Sequence, residues 1–191
     1  MTQRDDMSAQ EAAPQSGGSQ HFRIPFPEKE VSGKLLFEGQ PLNGDRMLEH
    51  FDPEFVAAYK AFVIGFFNAT SLDPVIRELA IIRIGHLSAC PYEVHHHVSF
   101  ARNLGVPETK ISSMAEPAPE NLTASESAAI RFVDELVRSA RPSDAALQEV
   151  RSQFSDQEVL ELVMVVGNWM MGARFIETVG LPVDDFAIKG R

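Results

Sequence analysis

Four helix-start signals punctuate this chain, and no strand signal competes with them. Asp52-Pro53 and Asp73-Pro74 each place a capping side chain before a proline at the first helical position. Thr123-Ala-Ser-Glu126 and Ser155-Asp-Gln-Glu158 are capping boxes, in which a hydroxyl and a glutamate reciprocally satisfy N–H groups left bare at a helix start. Apolar residues follow at helical spacing: Phe55, Tyr59, Phe62, Val63 and Phe66; then Val75, Leu79 and Ile82; then Ala129, Ile130, Val133 and Leu136. Sustained period-two alternation is missing, and Asn43-Gly44 does not sit between two apolar runs as a hairpin would require. The fold class is all-α, a bundle of about seven or eight helices.

Breaks refine this. The helix from Pro74 runs to about Leu87, a break over 88–91 follows, and the next helix covers about Tyr92 to Leu104. Gly105 stops it and Pro107 begins a short helix. Ser143 caps another short helix reaching Phe154. The last helix, starting at Ser155, is apolar on most sides through Val159, Leu160, Leu162, Val163, Val165, Val166, Trp169 and Met170, which predicts a buried helix. It ends at Gly180 and Pro182. Upstream, residues 1–20 are polar and poor in anchors and read as a disordered tail. Residues 21–46, rich in Pro and Gly but carrying Phe26, Leu35, Leu36 and Phe37, read as an irregular arm wrapping a helical domain over 47–188.

Composition narrows the partners. Seventeen Lys and Arg against 27 Asp and Glu give a net charge of -10, with no basic cluster, which argues against a nucleic-acid backbone as ligand. No uninterrupted apolar run reaches the roughly 20 residues of a membrane span, and the first residues lack the pattern of a secretory signal. A cytoplasmic protein with no membrane partner is expected. Cys90 is the only cysteine, so an intrachain disulfide and the usual cysteine-rich zinc sites are excluded.

The densest group of reactive side chains is Cys90-Pro-Tyr-Glu93-Val-His95-His96-His97. On a continuous helix Cys90, Glu93 and His97 fall at i, i+3 and i+7 and share a face, while His95 and His96 point elsewhere. Glu78 lies one helix upstream and can face them, with Arg77 beside it and Arg83 further along. A carboxylate that orients an imidazole supports proton transfer. A nearby imidazolium would also favour a thiolate. Only His97 with Glu93 has metal-ligand spacing, and no metal is expected.

The run Arg77-Glu78-Leu-Ala-Ile-Ile-Arg83, followed by Cys90-Pro-Tyr-Glu93, His97, Ala101 and Gly105, resembles the carboxymuconolactone decarboxylase family, which includes the AhpD-like alkylhydroperoxidases. The stretch from Phe154 through Trp169 to Pro182 is similar to that family's C-terminal helix. The resemblance implies an all-helical homo-oligomer acting on a small molecule without a cofactor. It aligns Glu78, Cys90 and His97 with the family's functional positions, and places Glu93 where the peroxidase branch has its second cysteine. A dithiol cycle then cannot run. Three readings follow. The first is a cofactor-free lyase or isomerase on a small carboxylated or lactone metabolite. Here His97 is the general acid or base, Glu78 and Glu93 support it, Cys90 lines the site, and Arg77, Arg83 and Trp169 contact substrate. The second is a thiol peroxidase using Cys90 with an external resolving thiol. The third is a non-catalytic oligomeric ligand binder.

Overall fold

A computed structural model describes residues 23–186 and 188; the tail read over 1–20 lies outside them. Eight helices follow in order: α1 (Asn43–Leu48), α2 (Pro53–Asn68), α3 (Pro74–Leu87), α4 (Pro91–Asn103), α5 (Glu108–Ser113), α6 (Ala124–Arg138), α7 (Asp144–Gln153) and α8 (Asp156–Val179). No strand occurs among the described residues.

The start signals act as their chemistry requires. Asp52 and Asp73 accept N–H groups of the first turns of α2 and α3, each ahead of a proline. Thr123 and Ser155 close capping boxes with Glu126 and Glu158. Gly180, at φ 69, takes the left-handed cap that ends α8. Helix α1 begins at Asn43, inside the stretch read as irregular arm. Six residues are too few to declare a period, and tertiary contacts hold it.

Helix α3 is the axis of the bundle, packed on α4, α6 and α8. Every residue from Ile76 to Gly85 is buried. Burial on all sides forces its three charged residues, Arg77, Glu78 and Arg83, to find partners inside the protein. The main core joins Ile76, Ala80, Ile81 and Ile84 of α3 to Phe132 and Val133 of α6 and to Leu162, Val165 and Trp169 of α8. Gly85 lets α4 approach: a Cβ there would lie 2.8 Å from Val94 Cγ2 and 3.3 Å from its backbone nitrogen.

Helix α8 departs from the expectation of all-round burial. Leu160, Val163, Met164 and Met171 are exposed, Leu160 by 65%. A 24-residue helix packed on one side leaves the opposite stripe outside, whatever its composition. By length and composition α8 is also apolar enough to cross a membrane, contrary to the expectation that no segment would be. Few charges interrupt its apolar residues, and the inner face of α8 is spent on the core.

Two straps close one end of the bundle. In the arm, Asp45 pairs with the buried Lys60 at 2.7 Å and accepts the N–H groups of Leu36 and Leu42. At the C-terminal end, Asp184 accepts the N–H of Asn43 and faces His96 Nε2 at 3.0 Å, while His95 Nε2 lies 3.0 Å from the carbonyl oxygen of Phe186. The arm is thereby tied to α2 and the C-terminal strap to α4.

Candidate active site

Helices α3, α4 and α8 bring Glu78, Glu93, His97 and Trp169 to one point. The Glu78 carboxylate is fully buried. Oε1 accepts Arg77 Nε at 2.9 Å, and Oε2 lies 2.6 Å from His97 Nδ1. Arg77 also donates to the carbonyl of Phe66 at 3.0 Å and lies over the Phe67 ring, 4.6 Å from its centroid. The guanidinium therefore fixes the carboxylate, and the carboxylate fixes the imidazole.

The other ring nitrogen has two claimants. Trp169 donates its indole N–H to His97 Nε2 at 2.9 Å, and Glu93 Oε2 stands 3.4 Å from the same nitrogen. An indole nitrogen can only donate, so the Trp169 contact fits an unprotonated Nε2 with the ring proton on Nδ1 facing Glu78. A carboxylate can only accept, so Glu93 fits the protonated ring. Burial opposes charge on His97 most strongly, but Glu78 and then Glu93 outweigh it and push the pKa up to about 9. The carboxylates and the indole thus favour opposite protonation states. The shorter contact places an uncharged ring in this conformation, and the carboxylates set the direction in which its affinity for a proton is displaced.

This group opens on a cavity of about 300 Å3, at the small end of ligand pockets. Its wall is mostly apolar: Phe37, Leu42, Phe51, Phe55, Val63, Phe67, Phe175, Ile176 and Leu181, with Ile188 of the C-terminal strap. Glu93, His97, Tyr59, Asn168 and Trp169 supply polar groups. Gly172 of α8 makes room for Glu93: a Cβ there would lie 3.0 Å from Oε1. No Lys or Arg is among the residues lining it. No group of three metal-ligating side chains occurs among the described residues.

The other candidate residues are placed elsewhere. Arg83 does not reach the cavity. It grips Asp134 through two nitrogens, at 2.7 and 2.9 Å, and donates to the carbonyls of Met114 and Glu116. A substrate-binding Arg83 is thereby corrected: the buried cation is satisfied by Asp134, 51 residues away in sequence. Arg77 acts on Glu78 rather than lining the cavity. Cys90 is not on the helical face of Glu93 and His97. It is the N-cap of α4, with φ -107 and ψ 89, so the helical rotation that would align it starts one residue later. Its thiol is buried with Met47, Tyr92, Ala173 and Ile176 and lies outside the cavity lining. Burial, followed by Glu93 and Glu177, pushes it up to about 12; only a backbone N–H of Glu93 pulls it down. Tyr59, read from the sequence only as an apolar position of α2, lines the cavity. No local pattern distinguishes a core tyrosine from one beside a carboxylate.

Comparison with known proteins bears on the fold that carries this site. Residues 53–135 match the profile of the carboxymuconolactone decarboxylase family. A protein of unknown function from Agrobacterium tumefaciens, associated by name with AhpD, superposes with a TM-score of 0.67 at 22% identity, over 73% of this chain and 96% of that one. The segment 53–135 thus carries the pattern of the carboxymuconolactone decarboxylase family, and the chain has the AhpD-like fold. A peroxidase-related protein with an AhpD core from Ralstonia eutropha JMP134 shares the fold with a TM-score of 0.69, at 17% identity over 78% of this chain and 80% of that one. The uncharacterized protein YdfG of Bacillus subtilis (strain 168) is 26% identical over 100 residues, 51% of this chain and 68% of that protein. In this chain a carboxylate stands at position 93, four residues before His97, and the one cysteine is a buried thiol.

Proposed function

We propose that this AhpD-like protein is a cofactor-free acid–base enzyme, a lyase or isomerase that moves a proton at carbon in a small, mostly apolar molecule. The observation that carries the reading is the buried chain Arg77–Glu78–His97 ending at an Nε2 that both Trp169 and Glu93 can engage. Glu93 faces the cavity and exchanges the proton with substrate. Nε2 stores it: the uncharged ring is held by Trp169 and the charged ring by Glu93. Glu78 and Arg77 are positioning residues, fixing the tautomer and plane of the imidazole. A carboxylate alone is a weak base; coupled to an imidazole with a raised pKa, it can hand on the proton it takes.

The thiol-peroxidase alternative draws its support from the fold and from the names of relatives. Against it, Cys90 is buried outside the cavity, with a pKa displaced away from the thiolate. We further propose that the exposed stripe of α8, Leu160, Val163, Met164 and Met171, is where copies of the chain associate. Light scattering of wild type against Leu160→Lys/Met164→Glu tests this, and equal masses would refute it.

The activity test is a screen for solvent deuterium incorporation into small carbon acids, with wild type, Glu93→Gln, His97→Gln and Cys90→Ala. Incorporation that needs Glu93 and His97 but not Cys90 supports the reading. Peroxide reduction that needs Cys90, with no incorporation, overturns it.

A further inference from the structure

We infer that the substrate is an uncharged, largely apolar carbonyl compound whose carbonyl oxygen is bound by the hydroxyl of Tyr59. The inference rests on the acid–base reading above and narrows its substrate class. Two features of the cavity carry it.

The first is charge. An anionic ligand in this cavity would meet Glu93 in the wall and Glu78 behind His97; no Lys or Arg among the described residues lines it, and its second histidine, His96, is engaged by Asp184 at 3.0 Å. The two arginines of α3 are both committed, Arg77 to Glu78 and the Phe66 carbonyl, Arg83 to Asp134. His97, even when protonated, already stands between two carboxylates at 2.6 and 3.4 Å. A carboxylate ligand would lose its hydration without a partner to replace it. An uncharged ligand has no such cost, and the phenylalanines and aliphatic residues of the wall suit it.

The second feature is Tyr59. It reaches the cavity from α2, within range of the charge of Glu93, and its hydroxyl has no hydrogen-bond partner among the described residues. Burial and then the charge of Glu93 push it up to about 12, so it stays a donor at all working pH values. A phenol held protonated beside a carboxylate is complementary to the two ends of an enolisation: the phenol to the oxygen that gains charge, the carboxylate to the carbon that loses a proton.

The step balances without a co-reactant. Glu93 removes the proton from the carbon next to the carbonyl. The C–H electron pair becomes a carbon–carbon double bond, and the carbonyl pair moves onto oxygen, where the Tyr59 hydroxyl donates to it. The proton passes to His97 Nε2, which turns from Trp169 to Glu93. It then returns to the same carbon or to the far carbon of a conjugated system, and the product is an isomer of the substrate.

Trp169 is the only tryptophan in the chain and belongs to the site, so its fluorescence reports occupancy directly. The probes are 2-tetralone, a neutral bicyclic ketone, and 1,2,3,4-tetrahydro-2-naphthoate, an anion of similar size. Binding is followed by fluorescence and α-deuterium exchange of the ketone by mass spectrometry. The expected result is ketone binding at least tenfold tighter than the carboxylate. Tyr59→Phe should weaken ketone binding and slow exchange about tenfold, while leaving the carboxylate's affinity unchanged. Equal or tighter binding of the carboxylate, no effect of Tyr59→Phe, or binding of neither probe at millimolar concentration overturns the inference. His97→Gln separates the two levels of the argument. Ketone exchange unaffected by His97→Gln refutes the acid–base reading itself. Exchange that needs His97, with the carboxylate as the better ligand, refutes only the substrate class.

Discussion

Glu78→Gln keeps the shape of the side chain and removes its charge, which makes it the sharpest probe of how the site is held. In the native protein the carboxylate serves two neighbours at once, Arg77 at 2.9 Å and His97 at 2.6 Å, with no access to water. Neutralising it leaves Arg77 as a buried cation with a carbonyl and a ring face but no anion. Breaking a buried pair from one side costs about 3–5 kcal/mol. Domain stabilities are about 5–15 kcal/mol, so this is a large fraction of the total. With a urea slope of about 2 kcal/mol/M, the midpoint should fall by about 2 M. The proton on His97 should respond as well. Losing its nearest carboxylate lowers the imidazole pKa from its raised value, which is read from the ring carbon shifts by NMR.

Urea unfolding at pH 7, followed by Trp169 fluorescence and far-ultraviolet circular dichroism, measures the stability term. The companion variant Arg77→Met/Glu78→Gln removes both charges and should recover most of the loss, because the orphaned cation and not the missing hydrogen bond dominates it. If Glu78→Gln alone does not fold, the double variant still decides the matter. A single variant within 1 kcal/mol of wild type, or a double variant less stable than the single, would refute the reasoning.

Other expectations follow from the same contacts. His97 has a folded pKa raised above its ordinary value of 6.5, so its stabilising contribution is complete below about 6.5 and is lost as pH rises through about 9; unfolding free energy should decline across that window while deuterium exchange, which needs the uncharged ring, speeds up. A stability that rises with pH between 6.5 and 9 in wild type, but not in His97→Gln, would reverse the sign. Trp169→Phe removes the donor that favours the uncharged ring, and should raise the His97 pKa by somewhat under one unit, the worth of a net hydrogen bond of about 1 kcal/mol. Gly172→Ala places a Cβ against the flexible end of Glu93; it should cost little stability, since alanine favours a helix by about 0.5–1 kcal/mol, yet reduce turnover by displacing Oε1. Cys90 should resist iodoacetamide at pH 8 in native protein and react on unfolding, and rapid native alkylation would contradict its burial and raised pKa.

Helix starts were legible because their causes are local. Asp73 caps its own first turn, and Thr123 and Ser155 each bond to a glutamate three residues on. The candidate site was legible in its helical half: Glu93 and His97 are four apart on α4, and a shared face follows from that spacing alone. What failed depends on packing. Arg83 reads from the sequence as a substrate contact, since nothing local links α3 to Asp134 on α6. Cys90 was assigned to the face by counting through a helix boundary that falls one residue beyond it. The outer stripe of α8 reads like its inner stripe, and only the position of α3 tells them apart. Tyr59 gave no signal, because its role depends on Glu93 from another helix.

Formal charge at the site ties these observations together. Arg77 contributes one positive charge, and Glu78 and Glu93 one negative charge each. With His97 uncharged, the group carries one net negative charge against an apolar cavity; a single proton on Nε2 makes it neutral. The low-dielectric surroundings therefore favour taking up one proton, which is the physical content of the raised pKa. Trp169 opposes that uptake by holding the uncharged ring. A site balanced in this way can accept a proton from a ligand and release it again without large cost in either direction, as acid–base catalysis requires. A cysteine at position 93 in place of the glutamate would change the balance. A neutral thiol leaves Glu78 as the one carboxylate raising the His97 pKa and so weakens the drive to protonate the ring, leaving the imidazole free to draw a proton from sulfur instead. On the proposed acid–base reading, the carboxylate thus does more than exclude a disulfide: it turns the same imidazole from a base for a thiol into a reservoir for a proton taken from carbon.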